Sequence, residues 1–517
     1  MQKSYTKNYI KIYFWQFLSI VVSILSSFIV LPKLSTNPNF YGIYSICITI
    51  SLYVFYLDFG FLSSASKFAG EYITKNNQKH EIKIISFSLF IFFIFIMLFS
   101  IILLVFIYKP DLIIKNIENN PLILKISKQL LSICLISIYL NILSKFINLV
   151  LDIRLENYIF YRIYVIGNIL KILSVFYFFY NSKQNIVGYY LFYQIMDFFV
   201  YMFCILKIKK LYNYNIKLFI KSFHFSKRLF IKLKNFVKPS LLSLIIGLLT
   251  FELDNLIIGK IFGLKQVAYY SIALIIFRFI WMIRSTFYNP FIHRLNHFYA
   301  TNDSENLKVY SLNAISIMMP IILFPTISII IYAKNVVYTW VGNFYTPSII
   351  ISQYLLLSII FSFIYVIPET LLFILKKNKI RSLILILYLF LYLFFLFVSI
   401  KNIGIVSFAF SKFIAMTIYF ILNFYFLLNI LNINIKELFT KCFKGMIIPI
   451  IFLIISLFLS KNYLPIEKSK INFMIVALFG GLLSFFATLI YYFTQKNFRE
   501  YVNKMLLKTK NKFVGVG

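Results

Sequence analysis

Apolar runs of about 20 residues recur from one end of the chain to the other, parted by short polar connections. As a helix, a run of that length spans the ~30 Å of hydrocarbon in a bilayer. The spacing predicts about 14 spans, near 10–31, 40–61, 84–108, 129–151, 160–181, 186–206, 239–259, 267–290, 309–333, 349–374, 382–400, 403–428, 446–460 and 471–493. Only Lys401 and Asn402 separate the eleventh from the twelfth, and the thirteenth is short, so twelve is the alternative count. The runs are continuous rather than alternating, which argues against a β-barrel. The expected fold class is an all-α integral membrane protein.

Polar residues inside these runs fall three and four apart, a spacing that puts them on one helix face. Span 1 carries Gln16, Ser19, Ser23 and Ser26; span 4 carries Asn141, Lys145, Asn148 and Asp152. Span 5 carries Tyr164, Asn168 and Lys171, and span 6 Tyr190, Gln194, Asp197 and Tyr201. Span 7 carries Ser243, Gly247, Thr250 and Asp254, and span 12 Lys412, Met416, Tyr419 and Asn423. Such faces are costly against lipid and are expected to turn inward. Span 11, with only Tyr388, Tyr392 and Ser399 for polarity, is expected to face lipid.

The chain has 517 residues, is 61% hydrophobic, and carries a formal charge of +36. That charge does not indicate nucleic acid, because it is spread over short connections with no soluble region to present a basic face. The wealth of Lys, Asn, Ile, Phe and Tyr is that of A/T-rich codons, so aromatic stripes carry little weight. The four cysteines form no C-x-x-C and suggest neither a redox pair nor a zinc site. Lys3, Lys7 and Lys11 precede a first run that lacks an A-x-A-like cleavage site, so it reads as a retained helix. With the N-terminus inside, the cytoplasmic segments hold well over twice the Lys and Arg of the outer loops. Both termini are thus expected in the cytoplasm. The connection 207–238 holds ten Lys or Arg interleaved with apolar residues. It reads either as a helix lying on anionic inner-leaflet lipids or as a plain orientation signal.

This connection divides two halves. Without gaps, residues 31–68 set against 257–294 bring Tyr-Ser-Ile at 44–46 onto Tyr-Ser-Ile at 270–272, and Asp58 onto Arg284. Six spans being an even number, the repeats would be parallel, about an axis along the membrane normal, with a site between them. The expected organisation is an N-terminal lobe at 1–206, the basic connection 207–238, a C-terminal lobe at 239–428, and two further helices with a basic tail at 429–517.

The segments Phe40-Tyr-Gly-Ile-Tyr-Ser, Leu57-Asp-Phe-Gly60 and Ser66-Lys-Phe-Ala-Gly-Glu71 resemble the first signature of the polysaccharide flippases. The family meant is the O-antigen (Wzx-like) branch of the multidrug/oligosaccharidyl-lipid/polysaccharide exporter superfamily. There an Asp-x-Gly closes helix 2. Leu253-Asp-Asn-Leu-Ile-Ile-Gly259, followed by Val267-Ala-Tyr-Tyr-Ser, is similar to the second signature. The resemblance implies two six-helix lobes around a cavity that opens alternately to each side. It also implies a lipid-diphosphate-linked oligosaccharide as cargo, the bacterial inner membrane as location, and polysaccharide polymerase and chain-length machinery as partners. In lipid II flippase relatives an extra helix pair accompanies a groove for the lipid tail.

Five cations lie inside spans: Lys145, Lys171, Arg278, Arg284 and Lys412. Each costs at least ~2.5–3.5 kcal/mol to place there, so a function or a partner is expected. Lys145 and Lys171 are candidates to hold a diphosphate; the alternative is neutralisation by Asp152 or Asp197. Arg278, Trp281 and Lys412 are the further substrate-binding candidates, Trp281 as a stacking surface for a sugar. Arg284 is expected to pair with Asp58 or Glu252 at a gate. Asp58, Asp197, Glu252, Asp254 and Glu369 are candidates for ion coupling or gating, with salt bridging as the alternative. Pro320, Pro325 and Pro368 are expected to bend their helices. His293 and His297 lack a third ligand nearby, and no metal is expected. No Walker or nucleophile motif is present, so neither cofactor nor catalytic residue is expected. The function expected is a flippase. The alternatives are a cation-coupled multidrug antiporter or a lipid II flippase, with a membrane glycosyltransferase disfavoured by outer loops that are short and lack His.

Overall fold

The computed structural model describes residues 2–75, 77–180, 185–375 and 377–503, without the side chains of 2–10, 235–236, 238–240, 242–243, 251, 289–290 and 293. Lys3, Lys7, Lys238, Ser243 and His293, as side chains, and the tail beyond residue 503 therefore lie outside the described residues. Every regular element described is a helix. The chain divides into two compact units, Met1–Ala268 and Tyr269–Gly517.

In the first unit asparagine sets where helices begin. The unit contains α1 (Gln2–Leu34), α2 (Pro38–Tyr56), α3 (Phe61–Thr74), α4 (Gln78–Tyr108), α5 (Pro121–Ser137) and α6 (Leu140–Asp152). It continues with α7 (Tyr158–Phe178), α8 (Ile186–Tyr212), α9 (Ile216–Lys221), α10 (Lys227–Gly247) and α11 (Asp254–Phe262). Asn37, Asn77, Asn120, Asn185 and Asn215 each accept a backbone N–H of the first turn, capping α2, α4, α5, α8 and α9. An amide oxygen at this position satisfies a donor that the helix leaves open. Pro38 and Pro121 follow their caps at the first helical position, where no N–H is needed.

Predicted span 4 is two helices, α5 and α6, parted at Ile138–Tyr139 without proline or glycine. Predicted span 7 is α10 and α11 joined through a π turn at Leu248–Glu252. α10 packs on α3 and α11 on α2, so both belong to the first unit. Phe61, Phe68, Ile84, Phe87, Leu233 and Val237 form an apolar cluster among α3, α4 and α10. α2 ends at Tyr56, and the turn Leu57–Gly60 takes Phe59 to φ +45° and Gly60 to φ +84°. The Asp-x-Gly of the sequence thus terminates the helix, glycine supplying the left-handed step. At Gly42 a Cβ would stand 2.2 Å from the Leu264 carbonyl oxygen, so only glycine admits that backbone.

The second unit takes most of α12 (Leu264–Ala300), then α13 (Ser304–Ile331), α14 (Ala333–Trp340), α15 (Pro347–Ile359) and α16 (Ser362–Ile374). α17 (Asn378–Ile403), α18 (Val406–Leu431), α19 (Ile435–Leu438), α20 (Ile447–Ser460) and α21 (Lys470–Thr494) complete it. α15 and α16 meet at 45°. α13 stays one helix through Pro320 and Pro325, and the bend lies at Ile360–Phe361, ahead of Pro368. α17 packs on α18 through Ile384, Tyr388, Tyr392 and Leu396 and exposes Phe390, Phe394 and Phe397. That is the lipid-facing helix its sequence suggests.

The last two helices are held by small residues. Gly480, Ser484 and Ala487 form a buried stripe on α21. Ser484 Oγ lies 2.8 Å from Ser328 Oγ of α13, and Gly480 would place a Cβ 3.4 Å from the Tyr332 ring. Tyr332 Oη meets Ser460 Oγ of α20 at 2.6 Å. Lipid tails are as apolar as leucine, so close backbone approach and interhelical hydrogen bonds are what join such helices. Twelve helical spans among the described residues are long and apolar enough to cross a membrane, α5 with α6 and α19 with α20 each counted as one, and the bent pair α15–α16 makes a thirteenth. The chain is a multi-pass helical membrane protein.

Candidate functional site

Of the polar stripes read from the sequence, those on α7, α8 and α18 are buried within their units, whereas Asp152 at the end of the span 4 stripe is exposed. Asn168 and Lys171 on α7 and Asp197 on α8 are buried, as are Lys412, Met416, Tyr419 and Asn423 on α18. Lys171 Nζ donates to Asp197 Oδ1 at 2.6 Å, its side chain only 3% exposed. The Tyr193 ring lies 3.6 Å from the same ammonium and the Tyr164 ring 5.8 Å. α7 and α8 thus bury an ion pair enclosed by phenol faces.

Lys145 on α6 has other partners. Its Nζ is 3.7 Å from Asp58 Oδ2 and stands 3.4 Å from the Phe55 ring. The two lysines read from the sequence as one diphosphate clamp thus have different acids and different rings as partners. Asp152, the alternative partner, is exposed and accepts a hydrogen bond from Asn157. Among the described residues the ion-pair partner of Asp58 is Lys145, in place of the expected Arg284. Asp58 aligns with Arg284 in the ungapped repeat, yet it sits in the α2–α3 turn while Arg284 is inside α12.

Glu252 and Asp254 flank the end of the π turn, Asp254 wholly buried. Beside them Asn255 donates to Thr49 Oγ1 of α2 at 2.8 Å. Tyr53, whose buried hydroxyl has no hydrogen-bond partner among the described residues, lies within Coulombic reach of both acids.

In the second unit the basic groups meet rings and hydroxyls. Arg284 is buried, 9% exposed; its guanidinium lies 3.7 Å over Trp281 and donates to Tyr365 Oη at 3.2 Å. Among the described residues no carboxylate lies within ion-pair distance of it. The Trp281 indole, a candidate stacking surface for a sugar, lies beneath the Arg284 guanidinium. Arg278 is half-buried on the same helix. Glu369 on α16 pairs with Arg381 at the start of α17, 3.2 Å away. Tyr365 meets Tyr419 edge-to-face, and Tyr288 donates to the Val366 carbonyl. Lys412 donates to Tyr270 Oη at 3.1 Å and lies 5.6 Å from the Tyr392 ring. No group of three or more His, Cys, Asp or Glu gathers among the described residues.

One cluster gave no signal in the sequence. Glu81, 1% exposed at the start of α4, holds Arg154 at 2.8 Å. Arg154 stacks 4.6 Å over Tyr212 of α8, whose hydroxyl donates to Glu156. These charges sit in ordinary-looking helix ends. Only the left-handed Leu155, φ +54°, turns Arg154 back onto its partners, and no residue type announces that turn.

No family model and no curated protein matches the chain. Solved structures do. The lipid II flippase MurJ in its inward closed conformation superposes with a TM-score of 0.68 at 14% identity, covering 93% of this chain and 99% of its own. An inward-facing multidrug-resistance MATE transporter of the MOP superfamily gives 0.62 at 14% identity, over 79% of this chain and 94% of its own. A MOP-superfamily transporter from Pyrococcus furiosus, reported with a binding pocket of reversed polarity, gives 0.53 at 12% identity, over 82% and 96%. The fold of this chain is therefore that of the MOP transporters.

Proposed function

We propose that the protein is a flippase that moves a lipid-diphosphate-linked oligosaccharide across the bacterial inner membrane for surface polysaccharide assembly. The observation that carries this reading is Arg284: a buried guanidinium on α12 with an indole face and a phenol for company and, among the described residues, no carboxylate within ion-pair distance. A cation held in a span without a counter-charge is costly and marks a functional site. Its planar fork suits bidentate capture of a phosphate, and Trp281 and Tyr365 hold the fork in place. The paired lysines do not play this part. Lys171 and Lys145 already hold Asp197 and Asp58, and their role is to fix helices of the first unit.

The MurJ likeness runs over nearly all of both chains, while the MATE alignments cover less of this one. That difference favours a lipid-linked cargo over a soluble drug. Asp197 and Glu369, each bound to a neighbouring cation, are the carboxylates at which a coupling proton or sodium ion would compete. A multidrug antiporter is the second reading, supported by the likeness to inward- and outward-facing MATE transporters. The test compares Arg284→Gln with wild type for surface polysaccharide at equal protein level, alongside the drug sensitivity of a deletion strain. Loss of polysaccharide with unchanged drug sensitivity supports the flippase. Normal polysaccharide and a drug-sensitive deletion strain would replace it with the antiporter.

A further inference from the structure

On the outer side of α7 and α8 lies a groove of about 620 Å³ that neither the ion pair nor Arg284 uses. It exists because Gly167 sits where a Cβ would stand 2.4 Å from Val200 Cγ2, so the two helices approach closely and leave a channel above the contact. Its walls include Ile163 and Leu170 of α7 and Phe203 of α8, and they are almost wholly apolar. One end differs: Lys207 and Lys210, three apart on α8, stand at the mouth. Both are exposed, and among the described residues neither is ion-paired. The lining of α8 runs from Met196 to Lys210, roughly 21 Å at 1.5 Å per residue. That accommodates one acyl chain, which has to cross half of the ~30 Å hydrocarbon core.

An apolar trough of this length that ends at two ammonium groups matches a molecule with an acyl tail and a negative head. We infer that the α7–α8 groove binds an anionic glycerophospholipid, its tail against Gly167 and Leu170 and its phosphate at Lys207 and Lys210. The general attraction of a basic segment to an anionic leaflet has no defined stoichiometry, whereas this site holds one lipid per chain. The inference does not depend on the transported cargo.

The full chain is purified and its retention of phosphatidylglycerol and of phosphatidylcholine compared by native mass spectrometry after exchange from nanodiscs of stated composition. Wild type is expected to retain one phosphatidylglycerol about thirtyfold more tightly, which is ~2 kcal/mol for two lysines at the headgroup. The double variant Lys207→Gln/Lys210→Gln is expected to lose this preference while its phosphatidylcholine retention is unchanged. Leu170→Trp, which fills the trough and leaves the lysines alone, is expected to weaken retention of both lipids. Equal retention of the two lipids by wild type overturns the inference, as does a preference unchanged in the double variant. Displacement of phosphatidylglycerol by a polyprenyl phosphate added in equal amount also overturns it, since the groove would then serve the cargo.

Discussion

Replacing Asp197 by Asn removes the acid and leaves Lys171 charged in a site where its side chain is 3% exposed. At 2.6 Å the pair attracts by about 6 kcal/mol for an effective dielectric of 20, before the cost of taking both charges from water is counted. Breaking one partner of such a pair costs ~3–5 kcal/mol. The Tyr193 ring, 3.6 Å from the ammonium, keeps up to ~2 kcal/mol of attraction, which places Asp197→Asn near the lower end, ~3 kcal/mol. An ordinary hydrogen bond between membrane helices is worth only ~0.6 kcal/mol, so the two cases separate cleanly. The double replacement Lys171→Met/Asp197→Leu removes both charges and is expected to recover most of the loss. The assay is reversible unfolding by SDS titration in bicelles. A cost below ~1 kcal/mol for Asp197→Asn, or a double variant no better than the single one, would refute the reasoning.

Other outcomes follow from the same geometry. Gly42→Ala drives a Cβ against the Leu264 carbonyl oxygen and is expected to cost ~1–3 kcal/mol, whereas Gly70→Ala, with nothing within 4 Å of its Cβ, is expected to be neutral or stabilising; SDS titration of both decides. Tyr332→Phe deletes the hydrogen bond to Ser460 and is expected to cost ~0.6 kcal/mol, read as easier proteolytic release of α20–α21. Asp303 caps α13, and two hydrogen bonds from Asn306, the side-chain amide first, hold its carboxyl below the usual 3.8. Its contribution is therefore complete above that value and fades as pH falls through the lowered one, so hydrogen-exchange protection at Asn306 should drop in acid for wild type and stay flat for Asp303→Asn.

Length and continuity of the apolar runs made the helices legible, because only about 20 residues of uninterrupted apolar sequence can cross a bilayer. The inward faces were legible for the same reason: Tyr164, Asn168 and Lys171 repeat at helical spacing, as do Tyr190, Gln194 and Asp197. The sequence could offer Asp197 as a partner for a first-unit lysine, but not choose it over Asp152, since that choice rests on α7 lying against α8. Lys145 and Asp58 meet through a turn whose direction depends on Phe59 and Gly60 at positive φ. The breaks were the least legible feature. Three prolines marked expected bends, yet α13 absorbs two of them, and the bend in α15–α16 and the gap in α5–α6 occur where no proline or glycine stands. Tertiary packing, rather than local propensity, sets those positions.

In the proposed flippase Arg284 receives the phosphate of a lipid-linked sugar. This is tested most directly in proteoliposomes holding the purified chain and a fluorescent lipid-diphosphate oligosaccharide, with the fraction that becomes reachable by an external quencher followed over time. Wild type is expected to flip the lipid, Arg284→Gln to fall by at least about tenfold, and Arg284→Lys to keep part of the rate because the charge survives without the fork. Flipping by Arg284→Gln at the wild-type rate, in a protein that unfolds at the wild-type SDS concentration, would contradict the account.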